Sequence, residues 1–364
     1  MGLIVPQNAM GPGIIICAIA PYPMNCLVFG YGYMGKIRCQ SLRNHSEVDR
    51  IIVIDPQVTS APSVAQPLRL EFLPPGAPIP WDLADAVFVC TPNHVTANLT
   101  VEALGRCGRV FCEKPPGRSL QEFQLIEDAA GKTPNHVLVF GFNHRLHPCV
   151  QAAKAMIGPG GVGDMLYIKG TYGKSGGARF RENWRNDPAV VGGGILLDQG
   201  IHMLDLIIMF AGPVRVTGSL MTDTFWTDGL EDNAFVLMQS QAGAPAFLHS
   251  SATLWKHTFN IEIGCRDGYL HVSGLLSKTG SYGRERLVIG RRQFEDEAMA
   301  LGNPREEIIH FDRDESWDKE VAEFLAAIRE GRPATHGTLE EAGRCMRILE
   351  DVYAAGRRHG AEVS

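Results

Sequence analysis

The chain has 364 residues, 45% hydrophobic and 20% charged, a composition of ordinary globular proteins and a length that calls for more than one core. Its formal charge is −6, and its 34 lysines and arginines are scattered instead of gathered into an arm or stripe, which argues against a nucleic-acid partner. The longest apolar runs, Gly13 to Ala20 and Ile201 to Ala211, fall short of the ~20 residues that span a bilayer, so no membrane partner is expected. Nine cysteines, none in a C-x-x-C pair, fit a reducing, cytoplasmic setting.

Residues 1–23 carry four prolines and neither a basic start nor a small-residue cleavage site, and read as an N-terminal extension. From 24 to 142, short apolar runs alternate with helical stretches, the pattern of a parallel sheet covered by helices. Strands are expected at Cys26–Phe29, Ile51–Ile54, Ala86–Cys90, Arg109–Cys112 and Val137–Phe140, and helices at Gly35–Asn44, Val95–Gly105 and Ser119–Gly131. Ser119 with Glu122 three residues on forms a capping box. The proline-rich Ala61–Pro80 stands where a crossover helix would otherwise lie.

From 143 to 364 the texture changes. Helical stretches at Cys149–Ile157, Gly194–Ala211, Trp317–Arg329 and Leu339–Arg357 mix with β-rich segments between Leu166 and Arg291, joined by turns such as Arg266-Asp267-Gly268 that imply antiparallel pairing. The expected fold is an α/β doubly wound N-terminal domain plus an α+β C-terminal domain with a large, mostly antiparallel open sheet. Val236, Phe247 and Trp255 indicate that the second face of this sheet is not fully polar, and imply a homodimer or homotetramer.

Gly30-Tyr31-Gly32-Tyr33-Met34-Gly35 fits G-x-G-x-x-G directly after the first strand and at the start of a helix, the Rossmann dinucleotide fingerprint. Gly30 permits the tight turn, Gly32 lets a pyrophosphate approach the backbone, and Gly35 lets helix pack on strand. Asp55 ends the second strand, where an acid accepts from the adenosine ribose; it would repel a 2'-phosphate, so NAD is favoured over NADP. Thr91-Pro92-Asn93-His94 leaves the sheet at its carboxyl edge, facing the cofactor, with Asn93 alternatively a helix cap.

Glu113-Lys114-Pro115 emerges at the same edge beside the cofactor. In the second domain, Gly192-Gly193-Gly194 leads to Asp198, His202 and Asp205 at i, i+4 and i+7, one helical face. Three polar groups on an apolar helix must be paired. They read as a core histidine held by two carboxylates, as part of a metal site lacking further ligands, or as acid–base machinery with Asp205 orienting the imidazole and Lys114 holding a substrate oxygen. The last reading is favoured, and no metal is expected.

Together these motifs resemble the glucose-fructose oxidoreductase / inositol dehydrogenase (Gfo/Idh/MocA) family from Met24 to about Arg357. The resemblance implies Lys114, Asp198 and His202 as catalytic residues, with His202 the acid/base, sugar-type substrates, and oligomers joined through the open sheet. Asn143 and Arg145 follow the last strand of the first domain, where such proteins place substrate ligands. Trp184 and Arg185 precede the triple glycine, with Arg179 and Arg181 nearby. The arginines point to a nucleotide-linked or otherwise anionic sugar; the alternatives are a free-polyol or inositol dehydrogenase and, from another class, an NAD-binding sensor without turnover.

Overall fold

The computed structural model describes residues 23–58, 69–177, 179–226, 229–296 and 299–360. The extension before Pro23, with Cys17, and the first part of the proline-rich stretch lie outside the described residues. Six parallel strands, β1 (Met24–Phe29), β2 (Val48–Ile54), β3 (Leu70–Phe72), β4 (Ala86–Val89), β5 (Arg109–Cys112) and β6 (Val137–Phe140), form one sheet in the order β3-β2-β1-β4-β5-β6. Helices α1 (Tyr33–Leu42), α2 (Asn93–Arg106) and α3 (Leu120–Lys132) cover it. Covered on both faces, the central strands are apolar at successive positions, as Ala86 to Val89 show. Ser119 Oγ accepts from the Glu122 N–H at the start of α3, while the Glu122 carboxylate turns to Arg118.

The second domain opens with α4 (Pro148–Ala155) and builds eight strands: β7 (Met165–Gly173), β8 (Val214–Thr222), β9 (Asn233–Ser240), β10 (Pro245–Ser251), β11 (Thr258–Cys265), β12 (Gly268–Ser273), β13 (Glu285–Arg291) and β14 (Glu306–Phe311). Their order is β14-β13-β12-β11-β7-β10-β9-β8, antiparallel except where β10 runs parallel to β7. Between β7 and β8 lie the short α5 (Pro188–Val191), one π-helical turn (Leu196–Gly200) and α6 (Ile201–Ala211). The run Pro188–Ala211 is long and apolar enough to cross a bilayer by composition, yet 72% of its most apolar window is buried against the protein, as a core helix. The close packing runs through Gly170 of β7, where a Cβ would lie 2.4 Å from Met203 Sδ.

Alternation along the second sheet places Ala234, Val236 and Met238 under the helices and leaves Phe235 and Leu237 outward. Val236 therefore belongs to the core; the open face carries Leu220 and Leu237, exposed by 58% and 55%. The final strand β14 falls outside the segments expected from sequence, because Glu306, Glu307 and His310 break its apolar pattern at the sheet edge.

Helix α7 (Ser316–Glu330) follows the second domain in sequence but packs on the first sheet, with Phe324 against Phe88 and Phe111 at 5.3 and 5.7 Å between ring centres. Arg38 of α1 is fully buried there, bonded to Glu113 at 2.7 Å and to Glu320 of α7 at 2.6 Å. Burial pushes Glu320 up to about 8, against the pull of Arg38. The last helix, α8 (Leu339–Gly360), lies against α6, α3 and β8.

Candidate active site

The glycine turn fits a dinucleotide. Gly30 has φ +89°, and a Cβ there would lie 2.5 Å from the Cys90 carbonyl; a Cβ on Gly35 would meet the Gly30 carbonyl oxygen. Gly32, by contrast, faces open space, and α1 begins there with no side-chain cap, so its free N–H groups are available to a pyrophosphate. Asp55 accepts from the N–H groups of Tyr31, 2.6 Å, and Gln57, 2.8 Å, which fixes the carboxylate while each oxygen keeps acceptor capacity for a ribose diol. Tyr31 packs edge-on against Phe72, and Tyr33 and His94 are exposed at the rim. Met34 lies in the first turn of α1, and Thr91 bonds Thr96 next to Pro92 at the head of α2.

Two expectations change here. Asn93 does not cap α2: it is the helix's first residue, and its amide donates to the Val191 carbonyl at 2.9 Å, tying the two domains together. Glu113 does not present a free carboxylate at the sheet edge; it is 5% exposed and committed to Arg38, so it anchors the start of the Lys114 segment.

Lys114 crosses to the second domain. Its Nζ donates to the Asp198 carbonyl at 2.5 Å and stands 3.8 Å from Asp198 Oδ1. Asp198 sits in the π-helical turn, and its carboxylate also takes Lys174 at 2.7 Å and Arg185 at 3.5 Å. Burial favours the neutral acid, but Lys174, Lys114 and Arg185 outweigh it and hold Asp198 well below the usual carboxylate range. For Lys114, burial lowers the pKa; Asp198 opposes this, while Arg185 and Lys174 add to it. Lys174 carries no motif of its own, yet it stands one position past β7, much as Lys114 stands two past β5.

His202 is 4% exposed and lies close enough for the Lys114 charge to act on it. Burial first, then Lys114 and His147, hold its pKa well below 6.5. Its Nδ1 is buried without a hydrogen-bond partner, so Asp205 does not orient the ring. The imidazole of His144 stacks on it instead, 3.8 Å between ring centres and 20° apart. His144 Nδ1 lies 3.0 Å from Asn143 Oδ1, an acceptor, so Nδ1 carries the hydrogen and Nε2 accepts from Tyr172 O–H at 3.1 Å.

Asp205 is claimed elsewhere. Arg145 grips both its oxygens at 2.7 and 2.6 Å and also pairs with Glu341 of α8. Arg145 is 6% exposed, so the expectation that it contacts substrate is corrected: it locks α6 to the inter-domain turn. Asn143 is likewise buried, bonded to Ser316 of α7 at 3.0 Å and placed to set His144, not to meet substrate. Arg185 lines the cavity beside Asp198 and lies 4.4 Å over the Trp184 indole. Glu231 closes the turn before Asp198, accepting from the N–H groups of Gly194 and Leu196 at 3.0 Å each. Among the described residues no group of three or more histidine, cysteine or acidic side chains could hold a metal ion.

A parallel dinucleotide-binding sheet joined to an open antiparallel sheet, with a lysine, an aspartate and a histidine meeting between them, defines a two-domain NAD-binding oxidoreductase fold. Residues 24–141 match the oxidoreductase family with NAD-binding Rossmann fold, and residues 150–271 match the GFO/IDH/MocA C-terminal domain. The chain belongs to the Gfo/Idh/MocA oxidoreductase family. Levoglucosan dehydrogenase of Pseudarthrobacter phenanthrenivorans is 30% identical over 37% of this chain, a match that spans 35% of that enzyme's length. Inositol 2-dehydrogenase of Rhizobium meliloti is 26% identical over 62% of this chain and 67% of its own. Among solved structures, levoglucosan dehydrogenase in complex with NADH and levoglucosan shares the fold, with a TM-score of 0.77 over 92% of this chain and 98% of that one at 18% identity.

Proposed function

We propose that the protein is an NAD-dependent dehydrogenase acting on a secondary carbinol of a sugar or polyol. The observation that carries this reading is the meeting of Lys114, Asp198 and His202 at the carboxyl edge of the dinucleotide sheet. Bound NAD supplies the hydride acceptor. His202, neutral at pH 7 and without a partner on Nδ1, takes the hydroxyl proton; Lys114, fixed by Asp198, holds the oxygen on which charge develops. The sensor alternative leaves these buried groups unexplained, because a binder needs Asp55 and the glycines but no proton acceptor.

Of the four arginines behind the expectation of an anionic sugar, Arg145 is spent on Asp205, Arg181 on the Phe225 carbonyl at 2.5 Å, and Arg185 leans on Asp198. This supports a neutral sugar or cyclitol, in keeping with the substrates in the relatives' names. A nucleotide-linked sugar is the second reading, favoured by the exposed Arg179 beside the cleft. The test is turnover: Lys114→Ala and His202→Ala are expected to keep NAD affinity while losing about 10²–10⁴ in kcat against a panel of sugars and cyclitols. Wild-type turnover per folded molecule in either variant overturns the assignment.

A further inference from the structure

Beyond Asp198 the cleft continues into a shelf of aromatic rings. Lys174, bonded to Asp198, lies 5.0 Å over Phe180; Phe180 is 4.6 Å from Trp226, and Trp226 and Phe225 are 6.0 and 4.9 Å from Trp255. Phe180 and Trp226 line the same cavity as Asp198, Lys174 and Arg185. The outer rings stay open to water, Phe225 by 46% and Trp255 by 58%.

The shelf is held in place by buried partners. Asp232, 2% exposed, accepts from the N–H of Phe225 at 2.6 Å and of Trp226 at 3.3 Å. The Trp226 indole donates to the Ala252 carbonyl at 2.8 Å and lies against Gly176, where a Cβ would be 2.3 Å from the ring. Trp255 itself has φ +55°, a left-handed conformation that bulky residues avoid. An exposed tryptophan in an unfavourable conformation, at the open end of the cleft, is maintained against its own conformational preference, and strain of that kind collects where ligands bind.

We propose that this shelf is a subsite for a second, neutral ring of the substrate, a glycosyl or aryl group joined to the sugar that is oxidised. The inference rests on the sugar-dehydrogenase reading and names the larger substrate class. Ring faces of sugars and aryl groups are apolar and pack on aromatic planes. A neutral linkage suits the path, because the cations along it, Lys174 and Arg185, lean on Asp198 and Arg181 is taken by a carbonyl.

The test is calorimetric titration of the NAD-loaded protein with methyl and phenyl glycosides of glucose, galactose and mannose, and with UDP-glucose, beside NADH formation. Phenyl glycosides are expected to bind about tenfold more tightly than methyl glycosides, and Trp255→Gly and Phe225→Ala to abolish the difference. Glycine is at ease at φ +55°, so Trp255→Gly keeps or raises Tm and a loss of the difference is not a loss of fold. No phenyl advantage in the wild type, an advantage that survives both substitutions, or a gain confined to UDP-glucose overturns the proposal. So does a change of oligomeric state in Trp255→Gly, which would place a second copy of the chain on the shelf. A Trp255-dependent advantage without NADH formation would leave the subsite standing and fell the dehydrogenase reading; turnover without the advantage would do the reverse.

Discussion

Replacing Arg145 with methionine keeps much of the stem's bulk but removes the guanidinium that satisfies both oxygens of Asp205, a residue with no exposed surface. Breaking a buried ion pair from one side costs about 3–5 kcal/mol, because a charge stays behind unpartnered. In a protein of this size that is a fall in Tm on the order of 10 °C. The loss carries a pH signature. Burial raises the Asp205 pKa even with Arg145 opposing it, and removing Arg145 raises it further above the unfolded value of about 3.9. A carboxyl with a raised folded pKa keeps its proton when folded and sheds it when unfolded, so stability declines as pH rises through that window. The deficit of Arg145→Met is therefore smaller at pH 5 than at pH 8, and adding Asp205→Leu recovers most of it. Urea and thermal melts of the single and double variants at both pH values, with KM measured on the folded protein, provide the test. An Arg145→Met protein that melts like the wild type while its KM for the sugar rises would refute the locking role and return Arg145 to the substrate.

Four further outcomes follow from the same structure. Because burial, Lys114 and His147 hold the His202 pKa well below the ordinary histidine value, kcat/KM for oxidation should lose its acid limb only below that ordinary value; a limb centred at 7 or above contradicts a neutral base. Burial depresses His144 as well, so both rings refuse a proton that the unfolded chain accepts, and stability should be full above about pH 6.5 and fall as pH drops below it, readable from melting curves. Calorimetry should show NADP binding at least tenfold more weakly than NAD, since the Asp55 carboxylate faces the position of a 2'-phosphate; equal or tighter NADP binding removes Asp55 from that role. Light scattering at micromolar concentration should give a homodimer or homotetramer that Leu237→Glu weakens, whereas a wild-type monomer would mean the exposed Leu220, Phe235 and Leu237 are not an assembly face.

The parts of the site readable in the sequence are those written in local spacing. The glycine turn, Asp55 and the Asp198–His202 interval each belong to one strand–turn–helix or one helical stretch, and the structure places them together at the domain junction. What spacing does not record is who pairs with whom across the fold. Asp205 shares a helical face with His202, yet its partner is Arg145, 60 positions away, and Glu113 stands next to Lys114 but answers to Arg38, 75 positions away. His144 and Arg145 are adjacent and equally buried, so neither spacing nor burial tells them apart; the difference is that one stacks on His202 and the other pairs with Asp205.

The placement of α7 bears on how the chain can be made and cut. The sheet face of Phe88 and Phe111, and the second carboxylate of Arg38, wait for residues 316–330. During synthesis the dinucleotide domain therefore emerges first but closes last, and its apolar face stays open while the whole second domain is added. A fragment ending near residue 142 would carry the entire nucleotide fingerprint and still lack the helix that seals its own core, so excision of a nucleotide-binding module requires splicing α7 back onto it.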